Sequence, residues 1–312
     1  MAILIGGNAG ISVDSLSLTD LLLGVTVIAT GTQFTLKDGD YLEEFQGQFT
    51  YDAAGLLSGG SVTAWRETLK GEVVFDVSGF SVPVQTFLTW VNNNDNEAAR
   101  STILGGADRI TTSNAADTLR GYAGDDTISD SGGRNYLRGD EGNDSISGGS
   151  GFDDINGNMG NDTCIGGLGD DWVVGGRDND SLVGGSGANL VYGNLGNDTC
   201  EGGAGDDIVR GGQNNDMISG GAGNDYVSGD KGDDTVTGGT GADIFHTFGD
   251  AAVDRVLDFN RAEGDRVQLD PGTQFTVSQV GADTFINMTG GGQMVLVGVS
   301  MSSLIDGWIF GA

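Results

Sequence analysis

From residue 121 to residue 246 the chain keeps a nine-residue beat of apolar and polar positions without one insertion. Position 8 of the nonapeptide is apolar in all fourteen copies, from Ile128 and Leu137 to Val236 and Phe245. Position 1 is glycine in thirteen copies (Asp130 departs) and position 4 in twelve (Asp178 and Asn214 depart). Position 6 is aspartate in twelve, with Asn135 and Asn189 in its place elsewhere. Residues 202–210, GGAGDDIVR, and 220–228, GGAGNDYVS, are clean copies, and a degenerate one precedes them at 112–120. A fixed period held this long marks a solenoid. The spacing predicts a turn over positions 1–6, its glycines supplying backbone angles closed to other residues. A short strand over positions 7–9 follows, with position 8 inward and positions 7 and 9 outward. Two nonapeptides make one coil of eighteen residues, so alternate copies stack into two parallel sheets with the position-8 side chains between them. The expected fold class is all-β: a parallel β-roll of tandem nonapeptide repeats, with a β-rich N-terminal domain and a β-rich C-terminal flank.

Charge changes this picture. The chain has 312 residues, 45 acidic against 14 basic, a net charge of −31, with 58 Gly and only 2 Pro. Collagen is excluded, because it needs a period of three and much proline. So much negative charge repels nucleic acid and anionic membranes, and opposes folding unless cations neutralise it. No apolar run reaches the length of a membrane span, so no integral membrane protein is expected. The cation is written into the turn. Glycines let its carbonyls converge, and the position-6 carboxylate adds a hard, charged oxygen, which together make a donor set for calcium. The candidate ligands are Asp126, Asp144, Asp153, Asp162, Asp171, Asp180, Asp198, Asp207, Asp216, Asp225, Asp234 and Asp243. Asn135 and Asn189 are weaker candidates, and backbone carbonyls of the turns, such as Gly148, Gly166, Gly184, Gly202, Gly220 and Gly238, complete the set. Each ion would bridge copies n and n+2. Roughly ten to twelve Ca2+ are expected, offsetting most of the negative charge. One apolar residue per strand makes a thin core, so metal must supply much of the stability.

Catalytic signals are missing from the sequence. His246 is the only histidine and falls at an outward repeat position. No nucleophile elbow, zinc helix or phosphate loop is found. Acidic pairs such as Asp125–Asp126 and Asp170–Asp171 suit calcium turns better than a glycosidase pair. No enzyme is expected. Cys164 and Cys200 both fall at position 8, two rungs apart on one sheet, roughly 9–10 Å. That is too far for a disulfide, and two buried free thiols are expected.

The outward faces differ. Position 7 runs Tyr136, Asp154, Trp172, Leu190, Ile208, Tyr226, Ile244 on one sheet and Thr127, Ser145, Thr163, Ser181, Thr199, Met217, Thr235 on the other. The apolar stripe Tyr136, Trp172, Leu190, Ile208 and Tyr226 asks for a partner, either another copy or a terminal segment folded back over it. The hydroxyl ladder reads as a wet β-face.

The first hundred residues have another character. Runs at 24–29, 72–77 and 80–84 read as strands, Gly55 and Gly59–Gly60 as turns, and 15–23 as a short helix. Phe34, Tyr41, Phe45, Phe49, Tyr51, Trp65, Phe75, Phe87 and Trp90 give this part its own core. The boundaries read 1–104 for a β-rich N-terminal cap or assembly domain, 105–246 for the roll and 247–312 for the C-terminal flank.

In these repeats the chain resembles the RTX family of bacterial type I secreted proteins. The likeness extends through 254–259, DRVLDF, and 264–269, GDRVQL, which look like the β-rich flank after the family's roll. Residues 305–312, IDGWIFGA, look like its uncleaved C-terminal secretion signal, and residues 1–10 lack the positive start of an N-terminal signal peptide. The resemblance implies the type I secretion machinery as a partner, export of an unfolded chain, and folding in extracellular calcium. The protease domain that often precedes such rolls is absent from the sequence. The function expected is a secreted, non-enzymatic calcium-binding structural protein that self-assembles as surface layer, matrix or filament, with a cell-surface or matrix partner as a further candidate. Alternatives are an adhesin displaying the N-terminal domain, a small secreted toxin or bacteriocin, and an enzyme with an unrecognised site in 1–100.

Overall fold

The computed structural model describes residues 3–6, 25–29, 33–38, 41–51, 57–69, 72–93, 96–112, 114–304 and 306–311. The chain divides into two compact units, Met1–Ser145 and Ile146–Ala312.

In the first unit, five strands form an antiparallel meander: Val25–Ala29, Gln33–Asp38, Tyr41–Tyr51, Leu57–Leu69 and Glu72–Pro83. Two expectations need correcting. Gly59 and Gly60 lie inside the strand Leu57–Leu69, opposite a bulge between Thr50 and Tyr51. Gly60, at φ 107°, serves that irregularity and not a chain reversal. The run at 80–84 continues the strand from Glu72 as far as Pro83, and two helices follow, α1 (Val84–Asn93) and α2 (Asn96–Ile103). Val84, Phe87 and Trp90 recur at helical spacing, and all three are buried. The Phe87 ring sits 5.4 Å from Phe45 and 6.5 Å from Trp65. With Phe49 these aromatics form the core. The side chains of Phe34, Tyr41, Tyr51 and Phe75, the residue Gly55 and the helix expected over 15–23 lie outside the described residues.

Ile3–Gly6 pairs antiparallel with Glu72–Pro83 and parallel with Arg109–Thr111, which pairs parallel with Thr127–Ser129. The meander is thus hydrogen-bonded onto the first rungs of the roll.

In the second unit the eighteen-residue coil is explicit. One sheet stacks Thr163–Leu168, Ser181–Ser186, Thr199–Ala204, Met217–Ala222 and Thr235–Thr240. The other stacks Asp153–Met159, Trp172–Arg177, Leu190–Leu195, Ile208–Gln213, Tyr226–Lys231 and Ile244–Thr247. Register never slips: Val173, Val191, Val209, Val227 and Phe245 are successive partners, each 0 % exposed. The strands are longer than expected. Ile208–Gln213 carries positions 7 to 9 of one copy and 1 to 3 of the next, so the turn proper has three residues. Cys164 and Cys200 are buried, not joined by a disulfide, and separated by Leu182.

The flank continues both sheets at altered spacing. Val253–Val256 pairs with Thr235–Thr240, and Arg266–Leu269 with Ile244–Thr247. An antiparallel set, Phe275–Val280, Asp283–Met288 and Gln293–Leu296, ends one sheet. Ile309–Phe310, from the terminal segment, pairs with Arg266–Leu269, and Trp308 packs on Phe259.

Candidate metal centre

The three glycines of the turn do different jobs. Gly203 and Gly205, at positions 2 and 4, take φ 114° and 127°, where a side chain is strained. Gly202, at position 1, is not in that region, which corrects the expectation that all three serve backbone angles. Its reason is space: a Cβ there would lie 2.6 Å from the Gly220 carbonyl oxygen and 2.7 Å from Asp207 Oδ2. Gly166 stands likewise 2.5 Å from the Gly184 oxygen and 2.6 Å from Asp171 Oδ2, and Gly220 2.6 Å from the Gly238 oxygen and 2.5 Å from Asp225 Oδ2. Gly166, Gly202 and Gly220 therefore each leave a cradle in which a carboxylate of their own copy and a carbonyl of the copy eighteen residues on converge. The spacing suits an ion that holds oxygens at roughly 2.3–2.6 Å.

The carboxylates are held by one oxygen and presented by the other. The backbone N–H of Asp207 donates to Asp225 Oδ1 at 2.8 Å, and that of Asp225 to Asp243 Oδ1 at 2.9 Å. The same bond joins Asp126 to Asp144, Asp162 to Asp180, Asp180 to Asp198, Asp198 to Asp216, Asp216 to Asp234, and Asp153 to Asp171. These aspartates are all buried. In Asp126, Asp171, Asp180, Asp198, Asp207, Asp216, Asp225 and Asp243 the second oxygen has no hydrogen-bond partner. A native fold does not leave a column of buried acceptors unmet; the pattern calls for a bound cation. Burial pushes Asp126, Asp180 and Asp216 up to about 8, and Asp144, Asp171, Asp207, Asp225 and Asp243 up to about 6, with neighbouring carboxylates adding to the rise.

Among the described residues no three His, Cys, Asp or Glu side chains come together. Each site therefore has to combine one or two carboxylates with backbone carbonyls. Gly184, Gly202, Gly220 and Gly238 turn their carbonyls into cradles, and Gly148 stands over Asp153 as Gly166 does over Asp171. The acidic pairs divide their labour: in Asp125–Asp126 and Asp170–Asp171 the first carboxylate accepts the backbone N–H of Asn143 or Ala188 at the surface, and the second faces inward.

Asn189 closes its own cradle. Its Oδ1 accepts the Asp171 N–H at 2.9 Å, so its Nδ2 points where a carboxylate oxygen otherwise stands. From there it donates to the carbonyls of Gly187 at 3.2 Å and Gly202 at 3.4 Å. The amide supplies the positive end that a cation supplies elsewhere. Asn135 accepts the Asp117 N–H at 2.9 Å in the same way. Asn189→Asp is expected to raise the calcium stoichiometry by one ion, read by titration calorimetry or native mass spectrometry. Unchanged stoichiometry would contradict this account of the rung.

The columns run further than the nonapeptide count. Asp108 donates its N–H to Asp126 Oδ1 at one end. At the other, Asp243 donates to Asp265 Oδ1 at 3.1 Å, and Asp265 Oδ2 accepts the Asn260 N–H at 2.7 Å, so backbone ends that column. Asp254 lies beside Asp234, accepts from Thr247 Oγ1 at 2.9 Å, and is driven by burial to about 9. Asp108 and Asp117 follow from stepping back eighteen residues from Asp126 and Asn135. Asp254 and Asp265 sit at spacings of 20 and 22 from their partners, and only the flank motifs could have signalled them.

His246 is buried, not outward. Its ring stacks on Tyr226 at 5.6 Å, and Nδ1 lies 3.3 Å from Ser228 Oγ and Nε2 3.2 Å from Asp270 Oδ1. The line resembles a hydrolytic triad, but Ser228 is 0 % exposed and its hydroxyl donates to Asp230 at 2.7 Å. A nucleophile that no substrate can reach performs no acyl transfer.

No curated protein matches the chain. Among solved structures it is similar to the crystal structure of extracellular lipase LipA from Serratia marcescens, at 18 % identity and a TM-score of 0.25, over 54 % of this chain and 40 % of that one. The chain thus spans less than half the length of that structure. A family model for the RTX calcium-binding nonapeptide repeat matches seven overlapping times, together spanning residues 103–245. With the eighteen-residue coil and the oxygen-lined cradles, this places residues 103–245 among the RTX calcium-binding nonapeptide repeats.

Proposed function

We propose that the chain is a secreted calcium-binding scaffold: exported unfolded by type I machinery, folded by extracellular calcium, and assembled with further copies of itself. The observation that carries the reading is the column of buried aspartate oxygens without partners, a pattern that calls for a bound cation. In the secreted state the residues that hold calcium are the position-6 aspartates and the position-1 carbonyls; the bound ion supplies the positive charge that lets the two sheets close. The repeats themselves carry no catalyst, and the non-enzymatic reading extends this to the whole chain. Among the described residues no helix is long and apolar enough to cross a membrane.

Self-assembly rests on the outer stripe. Tyr136 is 44 % exposed, Trp172 51 % and Ile208 42 %, whereas Leu190 and Tyr226 are half-buried, the latter under His246. A second copy offers the same stripe at the same rung spacing of ~4.8 Å. A self-complementary patch of this kind suits a symmetric pair. Trp172→Asp with Ile208→Asp is expected to abolish calcium-dependent growth in light scattering while leaving circular dichroism unchanged. Wild-type protein that stays monomeric in calcium would sink the assembly reading and move the adhesin alternative forward.

A further inference from the structure

The outer face of the sheet that carries Trp172 holds a trough whose chemistry the calcium roll does not need. It has a volume of about 640 Å³ and runs across five rungs, from Asn156 and Asn158 to Asp230 and Lys231. Four rung steps span ~19 Å. Position 9 forms one wall, position 3 the other, and position 2 the floor.

The floor is strained where glycine would serve better. On the opposite sheet position 2 is glycine from Gly149 to Gly239, at left-handed φ in each case. Along the trough the same position holds Asn158, Asn194 and Asp230 at φ 78°, 80° and 69°. Non-glycine residues pay a conformational penalty there. The three alternate with Gly176 and Gly212, so polar groups recur at every second rung with open floor between them.

The walls are basic and aromatic in a chain of net charge −31. Arg177, Arg210 and Lys231 line the trough with Tyr192. Arg210 is fixed in place: it donates to Asp230 through Nε at 2.9 Å and Nη2 at 2.8 Å, and its guanidinium lies 5.4 Å from the Tyr192 ring. Behind it, Ser228, His246 and Asp270 continue the network. Buried polar networks of this kind are worth keeping where they hold a site in one arrangement. This gives the triad-like line a use as the trough's support.

We propose that this trough binds a linear acidic glycan. Planar amides match sugar hydroxyls as both donors and acceptors. Arginine and lysine meet carboxylates, and an aromatic ring gives a sugar face an apolar platform. Polar groups at every second rung, ~9.6 Å apart, suit a polymer that repeats every second sugar. The proposal requires the folded, calcium-loaded roll and nothing of its assembly.

The test is titration calorimetry of the full chain in calcium with a hyaluronan octasaccharide, which carries one carboxylate per two sugars. Circular dichroism confirms the fold of every variant. Saturable binding is expected. Arg177→Glu with Lys231→Glu, both at exposed positions, should weaken it about tenfold or more. Asn194→Gly should weaken binding and leave the thermal midpoint unchanged or raised, because glycine relieves the left-handed φ. A lowered midpoint would show a structural role and overturn the floor's assignment. The glycan proposal falls if there is no saturable binding, if binding ignores these variants, or if a single-stranded oligonucleotide of equal charge competes equally well. Equal binding of a neutral oligosaccharide of the same length overturns its acidic character.

Discussion

With calcium chelated, the chain is expected to lose its β-structure as the pH rises from about 4 to about 8, and to regain it on return to acid. The sign follows from which state holds the protons. Unfolded aspartates titrate near 3.8, whereas in the folded turns burial carries Asp171, Asp207, Asp225 and Asp243 to about 6 and Asp126, Asp180 and Asp216 to about 8. Between these values the folded state binds more protons, so its stability falls as pH rises. The contribution is fully present below the unfolded value and is lost as pH passes through 6 and then 8. A protonated Oδ2 becomes a donor and can reach the carbonyl in its cradle. Protons and calcium thus satisfy the same oxygen, and the calcium needed for half-folding should rise as pH rises from about 6 to about 8 and the protons leave. Circular dichroism at several pH values reads both effects. A calcium midpoint indifferent to pH over that window would contradict the assignment.

The second large effect comes from a methyl group. Gly202→Ala and Gly220→Ala each put a Cβ at the point where a carboxylate and a carbonyl converge, at 2.5 to 2.7 Å from both. Neither can move away: Asp207 Oδ1 is pinned by the Asn189 N–H and Asp225 Oδ1 by the Asp207 N–H, and each carbonyl belongs to a strand. Overpacking alone costs about 1–3 kcal/mol per site. Losing the ion adds to it, so the double variant should bind at least one calcium fewer and fold only at several-fold higher calcium. Ala222→Ser, at an exposed position 3, is the control and should be silent. An unaltered calcium count in the double variant would place the ions elsewhere.

How far the sequence carried depended on whether a residue's role was set by the period. Position 8 and position 6 were legible because every copy repeats the same demand: an apolar side chain between the sheets and a carboxylate at the turn. The pairing of alternate copies followed from geometry. Position 1 was misread because glycine looks the same whether it provides φ or space, and only the approach of the Gly220 carbonyl to Gly202 tells the two apart. His246 was placed outward by its register, yet Tyr226, Phe248 and Asp270 cover it, because the coil spacing changes just beyond it. The helix Val84–Asn93 was hidden by valine-rich β-propensity up to Pro83, with its apolar spacing of three too short a run to stand out. Asn189 was legible as a departure, but its amide reaching the Gly202 carbonyl was not.

The measurement that bears most directly on the account is far-ultraviolet circular dichroism of the full chain above pH 8, titrated with calcium, with magnesium as the control. The smaller ion demands rigid octahedral geometry and keeps its water, so these carbonyl-rich cradles should reject it. The account predicts a coil spectrum in chelator, a cooperative change to β with calcium, none with magnesium, and full reversal on chelation. A β-spectrum that persists in chelator above pH 8 would contradict it, because the buried aspartates would then be folded with neither a proton nor the cation that the cradles are built to hold.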